Sequence, residues 1–291
     1  MFYTETPLED DTIAPYKRTV GLEIELASGA DATRWLHERG YAPSNRLHDY
    51  QCNCREAIGY PIHPTSDCTA PGGEYLIGGP CGVLYGSARF FKATAIAEEA
   101  FIASRAECDD RVGMHTHVGV NDLSDESKKI LLRNYLAMQE EFQWLAAGSF
   151  DRVRNNGCTS ARINVKHALS QSWNYHPRTQ PTRQEWDEFW GQKPQDWAVN
   201  NWPGRPTFNF QTRSRKTVEF RLWNSSRVQW RMILAAGVSS AFVEAAHQER
   251  VAPPPKWDTH EATVTMEEFL GDFITTDLLG LMQRQRSARS V

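Results

Sequence analysis

The chain has no apolar run near the roughly 20 residues that a membrane-crossing helix requires, so no membrane partner is expected. It has no basic excess either: 32 Lys and Arg stand against 36 Asp and Glu, a formal charge of −4. A partner held through phosphate neutralisation calls for the opposite sign, and nucleic acid is not expected. Cysteine is sparse. Six in 291 residues do not make a disulfide scaffold, and they suit a reducing cytoplasm. Met1 to Asp11 is acidic and lacks the basic-then-apolar pattern of an export signal, so the expected location is cytoplasmic. Fixed-period repeats are absent, and the one low-complexity stretch is Pro253-Pro254-Pro255. What is left, 40% hydrophobic and 23% charged, is the composition of an ordinary globular protein.

Helical segments are readable from their spacing and caps. Ala88 to Cys108 carries Phe90, Phe91, Ile96, Phe101 and Ile102 with few breakers. Ser124 can cap a helix whose first turn holds Asp125 and Glu126, and Ile130, Leu131, Tyr135, Met138, Phe142 and Leu145 then recur at helical spacing up to Gly148. Thr182-x-x-Glu185 and Thr265-x-x-Glu268 are capping boxes. A long helix is expected from about Arg227 to Arg250, stopped by the three prolines, and the tail from Gln283 is expected to fray.

Between the helices lie segments of period two, the mark of half-buried strands. Val20, Leu22, Ile24 and Leu26 alternate with Gly21, Glu23 and Glu25. Met114, Thr116 and Val118 alternate with His115 and His117, and Ile163 and Val165 with Arg162, Asn164 and Lys166. Phe208 and Phe210 alternate with Asn209 and Gln211, and Val218, Phe220 and Leu222 with Glu219, Arg221 and Trp223. The apolar faces need helices to cover them, which predicts an α+β fold with a mostly antiparallel sheet and helices packed on one face.

Solvent would account for the second face if it carried Thr, Ser and mixed charges. It carries Glu-x-Glu, His-x-His, Arg-x-Asn-x-Lys, Asn-x-Gln and Glu-x-Arg instead. Glu23 and Glu25 would lie about 6.5 Å apart along one strand face, and carboxylates that close repel unless a cation or an Arg lies between them. Hard oxygen donors such as Glu23, Glu25, Glu74 and Glu219 suit Mg²⁺ or Mn²⁺ more than zinc, and one imidazole, His115 or His117, is compatible with either ion. Arg162, Lys166, Arg215 and Arg221 add positive charge to the same surface. Divalent cations with Arg and Lys describe a site that holds phosphates and stabilises transferring charge. A metal hydrolase could use the same inventory, but the density of basic groups favours nucleotide phosphate.

At these residues the sequence resembles the amidoligase family, ATP-dependent carboxylate–amine ligases related to glutamine synthetase and glutamate–cysteine ligase. The matching segments are Gly21-Leu22-Glu23-Ile24-Glu25-Leu26, Asp67, Gly72-Gly73-Glu74 with Pro80, Gly113-Met114-His115-Thr116-His117-Val118, Phe208-Asn209-Phe210 and Thr217-Val218-Glu219-Phe220-Arg221. They run in family order from about residue 20 to 225. The resemblance implies a curved sheet like the glutamine synthetase catalytic domain, in a catalytic domain of residues 1–252 with a C-terminal helical extension and basic tail at 253–291. It implies that Glu23 and Glu25 ligate two different ions, that Glu74 and Glu219 complete the sites, and that His115 joins the one at the nucleotide phosphates. Arg221 would hold the γ-phosphate. Arg162 and Asn209 transfer to phosphate or substrate contact, His117, Lys166 and Arg215 fall on the nucleotide side, and Asp67 falls on the substrate side. The implied reaction consumes ATP, a carboxylate and an amine through an acyl phosphate. The chain departs from the family after Glu74, where Tyr75-Leu76-Ile77-Gly78-Gly79-Pro80 stands in place of a close Ser-Pro.

Two features lie outside that pattern. Cys52-x-Cys54, with His48, His63 and Cys68 nearby, resembles a zinc site, but C-x-C is tighter than structural zinc spacing and reduced thiols are the commoner outcome. Trp173, Trp186, Trp190, Trp197 and Trp202 gather half of the ten tryptophans in an insertion at about 168–206. That insertion is readable equally as a satellite hydrophobic cluster or as a lid over the open side of the sheet.

Overall fold

The structure is a computed structural model that describes residues 14–48, 59–67, 70–78, 82–109, 111–146, 182–191, 208–211, 216–256, 258–259 and 261–289. Among these residues seven strands form one open sheet: β1 (Thr19–Glu25), β2 (Ile62–Asp67), β3 (Ala70–Ile77), β4 (Val83–Leu84), β5 (Gly113–Gly119), β6 (Phe208–Gln211) and β7 (Thr217–Asn224). Their order in space is β2-β3-β1-β5-β7-β6, with β4 on the start of β1, and every pairing is antiparallel. The fold is α+β, as the alternating patterns predict. The expected strand around Ile163 and Val165 lies outside the described residues, as do Arg162, Lys166 and Arg215.

Helices cover the apolar face of the sheet. They are α1 (Ala30–Glu38), α2 (Ala88–Ala103), α3 (Asp125–Ala146), α4 (Arg183–Gly191), α5 (Gln229–His247), α6 (Met266–Leu270) and α7 (Thr276–Arg289). α5 packs on β1 and β5, α3 on β7, and α2 on β3 and β4. Val20, Leu22 and Ile24, then Met114 and Val118, then Val218 and Phe220, are all buried beneath this layer. Tyr135 of α3 stacks on Phe208 at 4.5 Å between ring centroids, and Phe142 joins Phe220 and Phe242 around it. That many buried aromatic faces make the helix-side core stiff, so the opposite face of the sheet inherits a fixed backbone.

The caps predicted from sequence form. Ser124 Oγ accepts from the Ser127 amide, and both capping boxes close on their glutamates. α1 has no counterpart in the sequence reading, because Ala32 and Leu36 are its only fully buried apolar side chains, too few to set a period. Trp223 is a correction. Simple alternation puts it with Glu219 and Arg221, but the β5–β7 register shifts between Met114 and Thr116, so that Arg221 and Leu222 both stand opposite His115. After this bulge Trp223 returns to the core, its indole N–H donating to Ser239 Oγ.

The tail from Gln283 does not fray among the described residues. Helix α7 runs to Arg289 because Leu278, Met282 and Gln285 are buried and Arg286 binds both Glu267 and Glu141. Part of the Trp-rich insertion is also anchored: Trp190 of α4 packs beside Arg133 of α3, whose guanidinium lies 5.1 Å from the indole centroid. The chain after α5 is clipped down by Asn134, fully buried, which donates to Arg250 O and accepts from the Ala252 amide, each at 2.7 Å. Asn134→Ala leaves both groups without their partner. It is expected to lower unfolding free energy by about 2–4 kcal/mol, read by chemical denaturation.

Candidate functional site

Antiparallel pairing turns the i, i+2 motifs into a two-dimensional array on the face away from the helices. Glu25 of β1 stands opposite Glu74 of β3, which stands opposite Thr65 of β2. Glu23 stands opposite His115 of β5. His117 stands opposite Glu219 of β7, which stands opposite Asn209 of β6. Residues far apart in the chain are thereby brought within side-chain reach.

The distances are short. His115 Nδ1 lies 3.2 Å from Glu23 and 3.5 Å from Glu219, and its Nε2 lies 3.5 Å from Glu25. His117 Nε2 lies 3.1 Å from Glu23 and 3.9 Å from Glu219, with Nδ1 at 3.3 Å from Thr217 Oγ1. The Gly113 amide donates to Glu25 at 2.6 Å, and Thr65 Oγ1 donates to Glu74 at 3.0 Å. Arg221 closes one side, its guanidinium 2.7 Å from Glu219, while its buried Nε–H has no hydrogen-bond partner among the described residues. Glu23, Glu25, Glu74, Glu219, His115 and His117 are all buried.

Among the described residues, four carboxylates of this face lie beside two imidazoles and one guanidinium. Both ring nitrogens of His115 face carboxylate oxygens, an arrangement that a doubly protonated ring or a cation between the groups satisfies. Burial pushes the Glu74 carboxyl up to about 8, helped by the charges of Glu23, Asp67 and Glu25 and opposed by the Thr65 hydroxyl. Glu23 goes the other way. Burial would raise it, but the charge and hydrogen bonds of His117 and His115 outweigh that and hold it well below the usual carboxylate range.

Among the described residues, three overlapping groups could hold a metal ion: Glu23, His117 and Glu219; Glu23, Glu74 and His115; and Glu25, Asp67 and Glu74. In each, one donor atom per residue lies within 4.8 Å of the others. Oxygen donors with a single imidazole fit Mg²⁺ or Mn²⁺ chemistry. Asp67, expected on the substrate side, thus sits among the carboxylates, and His117 is as near Glu23 as His115 is. Sequence reasoning missed Thr65, Thr217 and the Gly113 amide, which orient these groups. A threonine on a strand and a backbone N–H give no sequence signal of their own. After Glu74, Tyr75, Leu76 and Ile77 continue β3, and Gly79 and Pro80 lie outside the described residues.

No protein-family profile matches the chain. No curated protein matches it in sequence. Among solved structures it is similar to a chain in the crystal structure of the complex between the prokaryotic ubiquitin-like protein Pup and its ligase PafA, with a TM-score of 0.40 and 11% identity. The match covers 94% of this chain and 57% of that one, so the chain spans little more than half of that relative's length. Nothing about this chain's chemistry follows from so distant a likeness.

The Glu74 carboxyl has a consequence for stability. A carboxyl raised on folding from 4.5 to about 8 binds its proton more tightly in the native state. Its contribution is fully present below the unfolded value and is lost as pH climbs through the folded one. Chelator-treated protein is therefore expected to lose melting temperature between about pH 4.5 and 8. Glu74→Gln, which cannot titrate, should flatten that slope in a thermal-melt series.

Proposed function

We propose that this chain is an ATP- and Mg²⁺-dependent carboxylate–amine ligase working through an acyl phosphate. The observation that carries the reading is the convergence of Glu23, Glu25, Glu74, His115, His117 and Glu219 from four strands onto one buried face, beside the Arg221 guanidinium. A purely structural ion-pair cluster would match its charges. Among the described residues this one has more carboxylates than cationic groups at its centre, with the Arg221 guanidinium at its edge.

The residues then divide by chemistry. Glu23, Glu25, Glu74 and Glu219, with His115 or His117, would hold divalent ions, which when bound neutralise charge on nucleotide phosphates. Arg221 offers a planar fork to the γ-phosphoryl oxygens, with Glu219 fixing its orientation at 2.7 Å. Asn209, level with Glu219 on the neighbouring strand, is in register to contact the same phosphates or the substrate. Arg162, Lys166 and Arg215 are assigned to phosphate or substrate contact by the sequence pattern alone. A substrate carboxylate attacks the γ-phosphorus and ADP leaves. The amine then attacks the acyl carbon, forming the C–N bond as phosphate departs. A protein of this kind is expected to act in the cytoplasm.

A metal-dependent C–N hydrolase remains the second reading, because the Glu and His groups alone would suit it; a catalytically silent binding or assembly protein is the third. Purified protein with ATP, Mg²⁺ and pools of amino acids or peptides separates them. The ligase releases ADP only when an acid and an amine are both present. A hydrolase acts without ATP, and a binding protein does neither. Glu23→Gln is expected to abolish ADP release while circular dichroism stays native. Arg221→Lys, a point charge in place of a fork, is expected to lower kcat by ~100-fold or more, in line with loss of a transition-state donor. Wild-type turnover in either variant would count against the assignment.

A further inference from the structure

Two carboxylates on the site face are each gripped at one oxygen. The Thr65 hydroxyl donates to Glu74 Oε2 at 3.0 Å, and the Gly113 amide donates to Glu25 Oε2 at 2.6 Å. Glu25 and Glu74 stand opposite each other on β1 and β3. With Asp67 they make up the group of possible metal donors that contains no imidazole.

The Thr65 hydroxyl is fixed in place. The residue is 2% exposed, and its strand is paired on both sides. Thr65 stands opposite Glu74 on β3, and the His48 backbone bridges it from the other edge. There the His48 N–H donates to Pro64 O at 3.2 Å and the Ser66 amide donates to His48 O at 2.7 Å. A β-branched side chain on a backbone held at both edges has little freedom about χ1. The hydroxyl also lies 3.5 Å from the Glu74 carbonyl oxygen, so it sits over the root of the Glu74 arm as well as its tip.

Rigidity of this kind bears on which ion fits. Mg²⁺ is small and demands a near-ideal octahedron at about 2.0–2.1 Å, whereas Ca²⁺ accepts longer distances, about 2.3–2.6 Å, and often takes both oxygens of one carboxylate. For Glu74 to turn both oxygens toward an ion, Oε2 must leave the Thr65 hydroxyl, which costs the hydrogen bond of a buried donor. The same rotation at Glu25 would strip the Gly113 amide.

Resting on the metal-dependent ligase reading, we propose that Thr65 determines ion specificity at this site: by restraining Glu74 it favours Mg²⁺ over Ca²⁺. Thr65 acts through Glu74 and is a positioning residue. The Gly113 amide restrains Glu25 in the same way, but a backbone donor cannot be removed by substitution, which makes Thr65 the position to test.

Calorimetric titration of chelator-treated protein with MgCl₂, and separately with CaCl₂, reads the two affinities without nucleotide or turnover. Thr65→Val keeps the shape of the side chain and removes the donor. It is expected to weaken Mg²⁺ binding by ~10-fold or more, the scale of a lost ligand-orienting hydrogen bond, while Ca²⁺ binding stays within about threefold of wild type. Thr65→Ala should give the same Mg²⁺-selective loss, which covers the case that valine perturbs the fold. Thr65→Ser keeps the hydroxyl and should hold both affinities within about threefold of wild type. In a Glu74→Ala background, Thr65→Val should change neither affinity further, because no carboxylate is left to restrain. Equal losses for the two ions, or no loss for either, in a protein whose wild type releases ADP with an acid and an amine, would overturn the inference and leave the ligase reading standing. Wild-type protein that binds neither ion overturns both.

Discussion

The structure depends on holding like charges together out of water. Glu23, Glu25, Glu74 and Glu219 are buried on one face of the sheet, where each ionised carboxylate forfeits much of its hydration. The protein offsets this locally, with His115 and His117 between the carboxylates, the Gly113 amide on Glu25, the Thr65 hydroxyl on Glu74 and Arg221 on Glu219. The offset is incomplete at Glu74, whose carboxyl keeps its proton up to about pH 8. Such a cluster of carboxylates and imidazoles could hold a metal ion.

Such an arrangement needs a backbone that cannot relax. The aromatic contacts among Tyr135, Phe142, Phe208, Phe220 and Phe242 provide it from the helix side, directly beneath β6 and β7. The bulge at Arg221 and Leu222 serves the two faces at once. It keeps Arg221 beside Glu219 on the polar face and returns Trp223 to the core three residues after Phe220. A strand of unbroken alternation could not do both.

Much of this was legible beforehand, where the signal is local. The pairs Glu23 and Glu25, His115 and His117, and Glu219 and Arg221 each advertise a polar face through period two, and the caps at Ser124, Thr182 and Thr265 are short-range chemistry. The misses are long-range. α1 buries too few residues to set a period, and Trp223 breaks phase because of its partner strand. Arg286 holds the tail only because Glu141 and Glu267 arrive from other helices. Arg162, Lys166 and Arg215 lie outside the described residues.

By itself the sequence determined which side chains share a face wherever a strand runs unbroken, as β1, β5 and β7 up to Arg221 do, because alternation along an extended backbone is a property of the chain. It also determined the donor chemistry, oxygen and imidazole with a guanidinium nearby. Tertiary structure alone decided who stands opposite whom: Glu25 against Glu74, Glu23 against His115, Glu219 against both His117 and Asn209. Strand order and register are set by packing between distant segments, and a one-residue slip would turn every one of these groups to the other face.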